Sequence, residues 1–197
     1  MENFTRRLFG KYAGTALLAL ATGASAVTMV GCNVVSSIMT WIPIGLTALE
    51  GIVTLLGPFI GPGATAIIVL IKAAFADLAA AVSQYNADTN PLDKATLLAK
   101  IRTFLAAIVA HFQDFLNALN LGNNPIVNIV IGLVGIILSA IEGFMGQLPP
   151  PVALTTSFHV GTRTEAITPK FYKSVGAFKA DFNRVASANG HPEVEIH

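Results

Sequence analysis

The chain is 197 residues long, 53% hydrophobic and only 12% charged, with a formal net charge of +1. Soluble domains average about 25% charged residues, so most faces of this chain must find apolar partners. The near-neutral balance excludes the basic footprint of a nucleic-acid binder, and a single cysteine excludes an internal disulfide.

The first segment is Thr5-Arg6-Arg7-Leu8-Phe9-Gly10-Lys11, followed by an apolar run from Tyr12 to Ala21. A run of about ten residues is half of the roughly 20 that a spanning helix needs. Small residues then lead to Met29-Val30-Gly31-Cys32, which contains the only cysteine. The paired arginines with Phe9 and Lys11 resemble a bacterial twin-arginine signal peptide, Gly10 standing where that family usually has Leu. The tetrapeptide ending in Cys32 resembles a lipoprotein cleavage box, with Met29 and Val30 in place of the usual Leu and Ala or Ser. The resemblance covers residues 1–32 only. It implies export of a folded protein through Arg6, Arg7, Phe9 and Lys11, removal of residues 1–31, and a lipid anchor at Cys32 that holds the protein to a membrane of the cell envelope. Cleavage after Ala24-Ser25-Ala26 is the competing outcome and gives a soluble protein. A free or buried thiol is the bland alternative for Cys32. The stretch from Asn33 to Ser37 is expected to be an unstructured tether.

From Cys32 onward the chain carries nine Lys/Arg and ten Asp/Glu, and its length suits one domain with a sizeable core. Four apolar segments each begin near a proline: Pro43, Pro62, Pro91 and Pro125. Proline is favoured at a first helical position, where its missing N–H costs nothing. Asn90 and Asn124 add N-cap side chains. The pattern predicts helices at 41–56, 63–86, 91–120 and 125–146. The third has the clearest period, with Leu98, Ile101, Leu105, Ile108, Phe112, Phe115 and Leu119 on one face. The second repeats Ile67, Ile71, Phe75, Leu78, Val82 and Tyr85. Short connections favour antiparallel neighbours. The expected fold is therefore all-α: an up-down four-helix bundle of apolar helices over 32–148, with an additional C-terminal amphipathic helix.

Residues 149–197 follow as a Pro-rich spacer and tail. Pro149-Pro150-Pro151 reads as a stiff link, and Val152 to Val160 as a short extended piece. A fifth helix is expected from Thr168-Pro169 to about Ala188, with Phe171, Val175, Phe178, Phe182 and Val185 as a heptad-like seam. That seam either covers the bundle's edge or meets a membrane or partner. The end from His191 to His197 reads as flexible.

Candidate sites are few. Gly135, Ser139 and Gly143, spaced by four, would let another helix approach closely. Glu50 and Glu142 stand in apolar helices, and with His111 and Asp114 they form an incomplete metal-ligand set, so no metal or other cofactor is expected. The rim alternative pairs these carboxylates with Lys72 or Lys100. No phosphate loop or nucleophile elbow occurs in the sequence. The leading expectation is a non-enzymatic envelope protein, anchored at Cys32, with a structural role or a protein partner met through its helical faces. The charge-free stretches Gly51 to Ile71 and Pro125 to Ile141 support a membrane-inserting alternative. A cofactor-bearing bundle is the third possibility.

Overall fold

A computed structural model of the chain describes residues 33–119, 126–149, 156–160 and 163–197. Apolar residues recurring every three or four positions produce four long helices that pack together. They are α1 (Asn33–Leu56), α2 (Pro62–Ala87), α3 (Pro91–Ala118) and α4 (Ile126–Gln147). A short helix, α5 (Val175–Ala188), comes last.

α1 starts eight residues before the predicted position 41. Val34, Val35, Ile38, Trp41 and Ile42 are all buried, so the apolar stripe of the helix runs straight through Asn33–Ser37. The expected tether is therefore the first turn of a packed helix. Pro43 is interior to α1 rather than at its start. It lies on the exposed side, and its carbonyl accepts a hydrogen bond from Thr47 Oγ1 at 3.0 Å.

α2 and α3 begin at proline, as predicted. Asn90 caps α3, its side chain accepting from the Leu92 N–H at 3.1 Å and donating to Asp93 at 2.8 Å. The whole predicted seam of α3 from Leu98 to Leu119 is buried. In α2 the buried position is Ile68, with Ile67 only partly covered. α4 is buried over 72% of its apolar stretch, against 39% for each of the other three. It is the central helix, which explains why it is apolar on nearly every face.

Two short strands, β1 (Thr156–Val160) and β2 (Arg163–Ile167), form an antiparallel hairpin in which Thr156 pairs with Ile167 and Val160 with Arg163. β1 lies against α3 and β2 against α4. The predicted extended piece thus supplies one strand, and an unassigned stretch supplies the other.

The predicted fifth helix begins later than Thr168. Residues 168–174 are non-helical and run across α4. Ser174 then caps α5, accepting from the Ala177 N–H at 3.2 Å. Phe178, Phe182 and Ala186 are buried. The tail is docked rather than flexible. Val194 and Ile196 are buried, and the Asn183 side chain bonds both the N–H and the carbonyl of Ile196, at 2.8 and 3.1 Å. A Cβ added at Gly51 of α1 would come within 3.1 Å of the Val194 carbonyl, so the tail closes onto the first helix.

Candidate functional site

Long-range hydrogen bonds join α4 to the segment from Thr168 to Tyr172. Ser139 Oγ donates to the Thr168 carbonyl, and the Lys170 N–H donates to the Ser139 carbonyl at 2.9 Å. One turn further on, a Cβ added at Gly143 would sit 2.3 Å from the Lys170 carbonyl oxygen. Ser139 and Gly143 therefore receive an extended strap, not a helix. Helix-to-helix close approach occurs instead at Gly132, where an added Cβ would meet Val185 of α5 at 2.9 Å. Gly135 is partly buried on the same helix.

The strap anchors a polar group on α5. Asp181 accepts from Lys170 Nζ, accepts from Tyr172 Oη at 3.0 Å, and lies 3.5 Å from Arg184. The hydrogen bond from Lys170, assisted by that from Tyr172, holds the Asp181 carboxyl below the usual carboxylate range, against the opposing effect of burial. Burial first, and Asp181 second, push the Tyr172 phenol up. A carboxylate whose folded pKa is depressed stabilises the fold above its unfolded value of about 4, and that contribution fades as pH falls through the folded value. The expected result is that an Asp181→Asn variant loses less stability than wild type between about pH 4 and pH 2. Thermal unfolding across that range checks it, and parallel curves would remove Asp181 from the account.

Arg102 was not singled out from the sequence. From α3, its guanidinium donates to the carbonyls of Met145 at 2.9 Å and Leu148 at 2.5 Å. It caps the C-terminal end of α4, where carbonyls lack helical partners and the dipole favours a cation. Beside it, Ala95, Leu98, Ala99, Thr103, Ala106 and Pro149 line an open groove of about 710 Å³. Among the described residues, Arg102 is the one titratable side chain of that lining.

The metal-ligand candidates do not converge. Glu50 is exposed and accepts from Lys72 Nζ at 3.1 Å, while Glu142 is wholly buried. His111 is partly buried and Asp114 exposed. Among the described residues, no group of three or more His, Cys, Asp or Glu could hold a metal ion. Arg6, Arg7, Phe9, Lys11 and Cys32 lie outside the described residues.

The junction of the elements is aromatic. Trp41 of α1 contacts Phe75 of α2, Phe144 of α4 and Phe178 of α5, with ring centroids 5.5 to 5.8 Å apart. These features define a helical body with a strapped, aromatic-centred core. No protein-family model matches the chain, and no curated protein or solved structure matches it.

Proposed function

We propose that the chain is an exported envelope protein, tethered by lipid at Cys32, whose helical bundle has a structural or interaction role rather than a catalytic one. Its helices form an up-down arrangement covered by the amphipathic α5. The pairings Trp41–Phe75 and Glu50–Lys72 support an antiparallel α1 and α2. Arg6 and Arg7 direct the folded protein to the twin-arginine route.

One observation carries the reading. All four long helices are long and apolar enough to cross a membrane, yet Lys72 and Asp77 of α2 and Lys100 of α3 are exposed in the middle stretches of their helices. In a spanning arrangement those charges would face hydrocarbon, at about 2.5–3.5 kcal/mol each on insertion scales. The apolar faces bury against one another instead, and the bilayer is left to hold a multiply acylated N-terminus, which binds far more firmly than one chain.

A second reading, membrane insertion, is favoured by a different feature. Thr40, Thr47, Thr54, Thr96 and Thr103 turn their hydroxyls back on carbonyls of their own helices, and Thr65 on that of the N-cap Gly61. Val69 and Leu70 are exposed at 62% and 50%. Hydroxyls satisfied within their own helix tolerate an apolar surrounding. Alkaline carbonate extraction of a Cys32→Ser variant separates the two. Release to the soluble fraction supports the tethered body, and retention supports insertion. Intact mass of the mature N-terminus tests the lipid directly.

A further inference from the structure

We infer that the exposed face of α2 is a self-association surface, pairing in parallel and in register with the same face of a second copy of this chain. Opposite its buried side, α2 exposes Ala66, Val69, Ala73, Ala76, Ala80 and Ser83. These positions step by three and four, the spacing of a coiled-coil seam. Val69 is 62% exposed, and no charge falls within the seam itself. Alanines at such positions let two helix axes come close.

The charges beside the seam choose the partner and its direction. Lys72 immediately precedes Ala73 on one flank, and Asp77 immediately follows Ala76 on the other. In a parallel pair, the residue before a seam position of the Ala73 type faces the residue five places later on the other helix. Lys72 of each copy therefore meets Asp77 of the second copy, twice by symmetry. In an antiparallel pair, like flanks meet, so Lys72 of one copy never faces Asp77 of the other. Lys72 already bonds Glu50 at 3.1 Å, but its side chain is still 47% exposed. An ammonium has three donors, so it can bridge both carboxylates.

A seam of small residues covers little area and gives weak association in free solution. The tethered-bundle reading makes it useful. Two copies held in one bilayer share the direction of their N-termini, and confinement raises their effective concentration. The inference takes its membrane geometry from that reading and its chemistry from α2 alone.

The test uses the mature chain with Cys32→Ser, at high micromolar concentration, with one new cysteine on the seam. Parallel in-register pairing predicts disulfide-linked dimers on mild oxidation for both Val69→Cys and Ala80→Cys, and none for Asn117→Cys on α3. Adding Asp77→Lys turns both pairs repulsive and is expected to cut the dimer yield about tenfold. Reversing all three charges (Glu50→Lys, Lys72→Glu, Asp77→Lys) keeps every pair with opposite polarity and restores it. Unchanged melting temperatures confirm that these exposed substitutions leave the fold intact. Dimers at only one of the two seam positions, no dimers at all, or a yield indifferent to Asp77→Lys would overturn the inference. So would labelling of Val69→Cys by a lipid-phase reagent in vesicles, which makes the bilayer the occupant. Intact mass of the native N-terminus is read separately. Lipid without dimers sinks the pairing and spares the tether, and dimers without lipid do the reverse.

Discussion

A Trp41→Ala variant is expected to lose about 3–5 kcal/mol of stability, the range for removing a large buried aromatic. Small domains are stable by only about 5–15 kcal/mol, so the variant should lie close to unfolding at ambient temperature. The effect is large because one side chain joins four elements. Trp41 is 1% exposed. It meets Phe144 and Phe178 edge-on, at interplanar angles of 65° and 83°, and tilts against Phe75 at 38°. Its own helix accommodates it at Gly45, where an added Cβ would stand 3.0 Å from the indole ring. Truncation leaves a cavity at the junction of α1, α2, α4 and α5, which cannot collapse without moving all of them. A Trp41→Phe variant keeps a ring and sheds an indole N–H that is buried with no acceptor among the described residues. It should lose far less. Urea unfolding followed by far-UV circular dichroism compares the two, and equal losses would mean that the ring contacts contribute little.

The second large effect is expected at Gly143. An added methyl would stand 2.3 Å from the Lys170 carbonyl oxygen, 2.4 Å from its carbon and 2.6 Å from the Phe171 nitrogen. These are backbone atoms, so no side-chain rotation relieves the clash. The strap must lift, weakening the bonds at Ser139 and the seating of Phe171 on Phe144, whose rings are 5.8 Å apart and edge-on. Gly143→Ala is expected to destabilise by about 1–3 kcal/mol, the usual range for overpacking. Protease cutting between residues 168 and 174 should rise in parallel. Gly146 lies one turn later on α4, and a Cβ there would meet nothing within 4 Å. Gly146→Ala is therefore expected to stabilise by about 0.5–1 kcal/mol. The two alanines should move the melting temperature in opposite directions, and a shared direction would mean that the strap yields freely.

The helices were legible in the sequence where a local period decides the structure. Leu98 to Leu119 forms one seam by spacing alone, and Asn90-Pro91 marks its start. Reading failed where a distant partner decides. Val34, Val35 and Ile38 precede Pro43, and a proline that usually opens a helix drew the boundary after them. Phe171 shares a period with Phe178, but its segment is committed to Ser139, 29 residues from Thr168, and cannot coil. Arg102 caps a helix end 43 and 46 residues away, which no local pattern announces. On α4, Ser139 and Gly143 meet the backbone of the segment from Thr168 to Phe171. The four-residue step could not say whether a helix or a strap would arrive.

The docking of Val194 and Ile196 has a consequence for how this protein is made. The core closes on α1 when Val194 and Ile196 arrive, so a nascent chain that has not yet reached them lacks a wall of its own interior. Domains generally fold as units, and this body encloses Leu49 and Ile52 of α1 fully only with residues 191–197 in place. A polypeptide halted before that point presents half-enclosed helices, whereas the folded body holds Leu49, Ile52 and Leu56 inside.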